Sequence, residues 1–253
     1  MAIDGGVWAK IYPDPDGGAP GAAKIGMNSV GVDNAPEGKP AGATDLADGS
    51  YTYSEGGKTY RVLAFTDDGR SDLTLDVDTA GFADVLIVAG GGAGHSTNRG
   101  AGGGGFYEAT DYYVPAGTHT VTIGAGGPAA NNVGSPSSFL DFTMMGGGGG
   151  SSASYVQTGG SGGGGVSPLR AGGPGVPGQG NDGSDYAGGG AGAAAVSVTG
   201  GAGAESTLTG TSVTYSAGGN YTGGGNGGPN TGDGGEGPTG TGGSGIVIVR
   251  VEI

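Results

Sequence analysis

Apolar and polar residues alternate strictly through Leu73-Thr74-Leu75-Asp76-Val77-Asp78, the period-two signature of a strand with one buried face. Tyr51 and Tyr53, then Thr59-Tyr60-Arg61-Val62-Leu63-Ala64-Phe65, also read as strands, with a turn at Asp67-Asp68-Gly69. Two runs depart from alternation: Asp84-Val85-Leu86-Ile87-Val88-Ala89 and the terminal Ile246-Val247-Ile248-Val249-Arg250-Val251-Glu252-Ile253 are apolar at successive positions. Such runs predict central strands covered on both faces. His119-Thr120-Val121-Thr122-Ile123 predicts one more strand after the turn-forming Pro115-Ala116-Gly117. No segment carries the spacing of an amphipathic helix, so the fold class is mostly β with irregular structure and essentially no α-helix.

Glycine changes this picture. It supplies 68 of 253 residues, about four times the usual share of roughly 7%. Only 14 glycines precede Gly90, and 54 fall between Gly90 and Gly245. They occur in blocks such as 102–105, 146–150 and 162–165. The strict every-third-residue register of a collagen triple helix is absent, which leaves a bundle of separate polyproline-II helices whose backbone groups bond to neighbouring helices. Glycine suits such a bundle because the missing Cβ lets backbones approach closely. On this reading Gly148, inside the longest block, tolerates no side chain, whereas Ser161 projects outward. Three regions follow: a Pro/Gly-rich arm over 1–48, a β-strand region over 49–89, and a glycine-rich bundle over 90–253 closed by the strand 246–253. The arm carries Pro13, Pro15, Pro20, Pro36 and Pro40, together with the single tryptophan. Trp8, Ile11 and Tyr12 are its candidate docking residues, large side chains suited to a neighbour's pocket.

Charge and motifs exclude much chemistry. Nine Lys and Arg against 23 acids give a net charge of −14, which repels nucleic-acid backbones. Zero cysteines remove disulfides, thiolate metal sites and thiol nucleophiles. Neither a signal peptide nor a membrane span is expected, since no run approaches 18 apolar residues. Val88-Ala89-Gly90-Gly91-Gly92-Ala93-Gly94 has the look of a dinucleotide-binding turn, but His95 stands where the third glycine belongs and no helix follows. His95 and His119 lack ligand partners at metal spacing, and the acids of 76–78 and 233–236 match no calcium loop. The expectation is therefore no catalytic residue, no cofactor and no metal. Tyr155, Tyr186, Tyr215 and Tyr221 stand inside the glycine-rich part as candidates either for display at loop tips or for packing on the bundle's flanks.

The order of motifs carries a resemblance. Asp84-Val85-Leu86-Ile87-Val88-Ala89-Gly90-Gly91-Gly92-Ala93-Gly94, Gly100-Ala101-Gly102-Gly103-Gly104-Gly105, Thr118-His119-Thr120-Val121-Thr122-Ile123-Gly124-Ala125-Gly126-Gly127 and Gly242-Gly243-Ser244-Gly245-Ile246-Val247-Ile248-Val249-Arg250 follow one another in sequence. Over about residues 60–253 the chain resembles the glycine-rich domain of phage tail proteins. The resemblance implies a non-enzymatic virion protein, a minor tail protein or tail-tip or fibre component. Its partners would be other tail proteins, further copies of itself with a trimer favoured, and a bacterial surface receptor met by loops between glycine runs. It implies packed polyproline-II helices, as in certain tail-tip adhesins and one receptor-kinase ectodomain, and supplies no catalytic residues. Two other roles fit the composition: a decoration or spacer subunit without a receptor, and an ice- or surface-binding protein, for which ordered threonine rows would be the sign.

Overall fold

A computed structural model gives the fold. It describes the backbones of 7–10, 22–25 and 27–28 and residues 49–66, 73–77, 80–128, 132–151, 156–166 and 171–253. The strands, in chain order, are β1 (Val7–Lys10), β2 (Ala22–Ile25), β3 (Met27–Asn28), β4 (Gly49–Glu55), β5 (Lys58–Phe65), β6 (Thr74–Val77), β7 (Gly81–Val88), β8 (Phe106–Val114), β9 (Gly117–Thr122), β10 (Ser137–Phe139), β11 (Phe142–Met144), β12 (Ala204–Ser206), β13 (Val213–Tyr215) and β14 (Ile246–Glu252). No helix occurs among the described residues. The expected strands at 59–65, 73–77, 84–89, 119–123 and 246–253 are all present, within one to three residues at their ends.

Two five-stranded antiparallel sheets form the framework, ordered β4-β5-β14-β7-β8 and β11-β10-β9-β6-β3. They pack face to face. Leu63, Phe65, Val85, Ile87, Val247 and Val249 from the first sheet meet Leu75, Val77, Val121, Phe139 and Met144 from the second in one buried cluster. The opposite face of the first sheet, with Val62, Ala64, Leu86, Val88, Ile246 and Ile248, lies under Leu208 and Tyr215 of the β12–β13 hairpin. The first sheet is thus a middle layer, and this is why β7 and β14 are apolar at consecutive positions. Strands β8 to β13 all fall within 90–253, so that span holds both strands and glycine runs.

Between the strands the glycine runs bond to one another with a threefold recurrence. Ala89, Gly92 and His95 donate their N–H groups to the carbonyls of Gly105, Gly102 and Arg99, at 2.8–3.0 Å. Gly90 and Ala93 donate to Ser135 and Asn132, while Gly91 and Gly94 donate to Gly243 and Gly240. Every third residue serves the same neighbour, and the acceptor steps by three as well. The returning run behaves alike: Gly100 and Gly103 donate to Tyr186 and Gly189, Ala101 and Gly104 to Gly235 and Gly232, and Gly102 and Gly105 to Gly148 and Met145. Each run thus donates to three neighbours, and run 89–95 also accepts from Gly127, Gly147, Gly150 and Gly235, so its backbone groups are satisfied by neighbouring runs and not by a strand ladder.

That contact leaves no room for side chains. A Cβ on Gly188 would lie 1.8 Å from the Ala101 carbonyl oxygen, and one on Gly146 would lie 1.9 Å from that of Gly134. Gly148 meets the expectation, with the Gln157 carbonyl oxygen 2.5 Å from its ideal Cβ. Ser161 does not: it is fully buried, and the Cβ of an alanine at Gly180 would come within 2.2 Å of its hydroxyl. Its flanking position in sequence misleads, because run 159–165 is enclosed by neighbours on all sides.

Candidate functional site

The register gives the bundle a polarity. Run 89–95 leaves β7, run 99–105 enters β8, the run from Met145 leaves β11 and run 240–245 enters β14, so these ends meet at the sheets. Val88 and Ile246, at the two ends of the long excursion, are paired across the sheet. The reversals at 95–99, 184–186, 196–199, 220–225 and 236–240 gather at the remote end and form a cap.

Arg99 organises this cap. Its Cζ lies 5.1 Å from the Tyr186 ring centre and 5.6 Å from that of Tyr221, and the two rings meet edge to face at 5.2 Å. Cation–π attraction of about 0.5–2 kcal/mol per contact helps to hold the guanidinium in place. One Nη donates to the carbonyls of Thr97 and Asn98, whereas the buried Nε has no partner. Asn98 takes a left-handed φ of 58°, as an Asn in a tight reversal readily does. His95 accepts the Thr97 N–H at Nδ1, and burial followed by the charge of Arg99 holds its imidazole below the usual value. Glu236 accepts from the Asn220 side chain and the Gly225 N–H, and Asn220 accepts the Gly200 N–H.

Beside the aromatic pair, Ala193 to Thr199 forms an apolar tip. Val196 and Thr199 exchange both backbone bonds at 3.0 Å, and Ser197 between them has a φ of 53°. Ser184 donates to the Ser197 carbonyl, and Tyr221 donates its N–H to Val198. The tip is pinned, yet Val196 is 74% exposed and Val198 47%. Arg99, Val196 and Val198 escape a search for aromatics. The one local signal for the tip is Ala193-Ala194-Ala195-Val196, uncharged and free of glycine amid glycine blocks.

The other expected residues separate. Tyr186 and Tyr221 are half-buried in the cap. Tyr215 is 1% exposed and packs under the first sheet, where burial raises its phenol well above the ordinary value. It serves packing. Trp8 stands in β1 opposite Lys24, and Ile11, Tyr12 and Tyr155 lie outside the described residues. Among the described residues no three His, Asp or Glu side chains gather as a metal site, and no helix is long and apolar enough to cross a membrane. Asp233 accepts the Ala217 N–H, so this acid braces a run. The cap offers a rigid cation–aromatic face and an apolar tip, which suits contact with another surface.

A family described as a glycine-rich domain matches residues 66–252, close to the span on which the motif resemblance rests. The chain belongs to this glycine-rich domain family. No curated protein matches the chain significantly.

Proposed function

We propose that this chain is a structural virion protein of a bacteriophage tail, a minor tail protein or tail-tip or fibre component, whose glycine runs are polyproline-II helices. The threefold recurrence of hydrogen-bond partners supports the helix assignment, because three residues per turn return every third N–H to the same direction. At about 3.1 Å per residue, run 89–95 carries its reversal roughly 19 Å beyond the end of β7. The cap at that remote end supports the functional reading: five reversals place Arg99, Tyr186, Tyr221, Val196 and Val198 where the sheets are farthest away. Loops there can change sequence without touching the bonded runs. The arm of residues 1–48 docks on the tail and the cap faces the host, in several symmetry-related copies.

Deleting residues 2–20 tests the orientation. The shortened protein is expected to stay folded and to be missing from purified virions when their proteins are quantified by mass spectrometry. Normal copy number in those virions overturns it. Couplings across hydrogen bonds, measured by NMR between the Gly91 and Gly94 nitrogens and the Gly243 and Gly240 carbonyls, test the helix register.

A further inference from the structure

The two five-stranded sheets end in the edge strands β4, β8, β11 and β3. An edge presents unpaired N–H and C=O groups, which natural proteins blunt with short strands, bulges, prolines or lysines. Strands β3 and β11 have two and three residues. Strand β8 bulges opposite Asp84, whose carboxylate already takes the Asp111 N–H at 3.0 Å. Strand β4 carries none of these devices: it pairs one to one with β5 from Gly49 to Glu55, with no proline, lysine or bulge.

Its register fixes which backbone groups face outward. Gly56 and Gly57 have φ values of 59° and 80°, so Glu55 and Lys58 flank a two-residue turn and exchange both backbone bonds. Bonded pairs alternate along an antiparallel ladder, so Tyr53, Tyr51 and Gly49 also bond to β5. Ser50, Thr52 and Ser54 therefore turn their N–H and C=O groups away from β5. Thr59, opposite Ser54, shows the same phase, because its carbonyl accepts the Ile253 N–H on the far side. No strand among the described residues takes up the outward groups of β4. Tyr51 and Tyr53 are held on the outer face, Tyr51 by donating to the Thr209 carbonyl and Tyr53 by accepting from Arg250.

This edge is complementary to itself. A second β4 running antiparallel, with Thr52 facing Thr52 on a twofold axis, sets Ser50 against Ser54 and Ser54 against Ser50. Every outward residue then exchanges both of its backbone bonds with the residue it faces. Tyr51 meets Tyr53 of the second copy on the outer face, and hydroxyls meet hydroxyls on the other, both favourable cross-strand pairs. The strand's single charge, Glu55, faces Gly49 of the second copy, so no like charges are opposed. A slip in either direction leaves an outward residue of each copy unpaired.

We propose that β4 pairs with β4 of a second copy in this register, joining the two first sheets into one continuous sheet. The contact is isologous and closes at two copies. It rests on the register of β4 and not on the tail-protein reading. The test uses the full chain. A small contact of this kind is weak and reversible, so sedimentation velocity from about 1 to 500 µM should show a monomer–dimer equilibrium. Thr52→Pro removes the central outward N–H, which an edge strand tolerates, and should raise Kd at least about tenfold with Tm within about 4 °C of wild type. Thr52→Val keeps that N–H and should dimerise like wild type. The chain has no cysteine, so a single introduced thiol can link only to a second copy. Oxidised Thr52→Cys should run as a disulfide-linked dimer, because facing residues of a bonded pair lie about 5.5 Å apart at Cα. Ser54→Cys faces Ser50 and should not link. This readout decides the matter even if Thr52→Pro fails to fold. A chain that stays monomeric throughout, association unchanged by Thr52→Pro, or equal linking of Thr52→Cys and Ser54→Cys overturns the pairing. A dimer missing from virions would sink the tail reading alone, and a virion protein that stays monomeric in solution would sink this proposal alone.

Discussion

Adding one methyl group at Gly188 tests the central physical claim, that glycine is required because backbones touch. The Cβ of Gly188→Ala would sit 1.8 Å from the Ala101 oxygen and 2.1 Å from its carbon, where even 3.0 Å is tighter than real contacts allow. The two runs must therefore separate by at least about 1.2 Å, the difference between 3.0 and 1.8. Two bonds join these runs: Gly100 donates to the Tyr186 carbonyl and Gly103 to that of Gly189. Stretching them leaves buried backbone groups poorly paired at about 1–3 kcal/mol each, added to about 1–3 kcal/mol of overpacking. Against this stands a gain of about 0.4–1 kcal/mol, because alanine restricts the unfolded chain more than glycine does. The net expectation is a loss of about 2–8 kcal/mol, or roughly 4 °C or more in Tm for a chain of this size. Gly178→Ala is the comparison, since its φ of +81° strains an alanine while nothing lies within 4 Å of the new Cβ. That variant should lose only about 1–2 kcal/mol. Thermal unfolding followed by far-ultraviolet circular dichroism measures both. If Gly188→Ala melts within about 2 °C of wild type, the runs are not packed backbone to backbone and the reasoning fails.

Arg250 donates Nε and Nη2 to Asp84 at 2.9 and 2.7 Å, bonds Tyr53 and lies 4.6 Å over the Tyr60 ring, so Arg250→Met should cost about 2–4 kcal/mol in urea unfolding. Combining it with Asp84→Asn should recover part of that loss, because the remaining carboxylate no longer stands unpaired. Asp233 is raised above its ordinary value of 3.8 by burial, opposed by bonds from Thr231, Ala217 and Gly228. Its folded state therefore holds a proton more tightly than the unfolded chain does, and stability tied to this group rises as pH falls through the raised value towards 3.8. Wild type should gain on Asp233→Asn over that window in parallel denaturation series, and a pH-independent difference would count against it. His95 is shifted the other way, so the stability it contributes is present above its ordinary value of 6.5 and is lost as pH falls through that value to the lowered folded one. In His95→Gln this loss should disappear, as read from amide exchange at Thr97.

The strands at 73–77, 85–88 and 246–251 were legible because each carries its environment in its pattern: alternation where one face is covered, continuity where the β12–β13 hairpin covers the other. Strand β8 was not, and its register explains why. Ala109 pairs with Val85 and Tyr112 with Ala83, so Thr110 and Asp111 both stand opposite Asp84. This bulge, with Asp111 at a φ of 50°, resets the parity. Tyr107 and Tyr112 consequently reach the same ring, Phe142, at 4.4 and 5.1 Å, although an even strand would put them on opposite faces. Strands β10 and β11 have three residues each, too few for any period to show. The cap was hidden for another reason. Arg99, Tyr186 and Tyr221 meet only through the register of runs whose glycine blocks are interchangeable to a reader of the sequence.

That interchangeability sharpens the question of what fixes the register, since a glycine run could slide past its neighbours by three residues and still satisfy its bonds. Side chains at run ends supply the answer. Ser137 is fully buried, donates to the Val88 carbonyl and accepts the Gly124 N–H, which ties the start of two runs to β7. Gln157 accepts from Gly149, Gln179 accepts from Met145, and Asp233 accepts from Ala217, each at a single place where a carbonyl would otherwise be needed. A slip of three residues would leave these groups facing the wrong partner, at about 1–3 kcal/mol for each buried group left unpaired. The strands complete the constraint: β7 and β14 are paired from Val88–Ile246 to Asp84–Arg250, so run 89–95 and run 240–245 start from fixed positions. Sheet and bundle are therefore one cooperative unit, in which the few polar side chains set the register and the glycines make the contact possible.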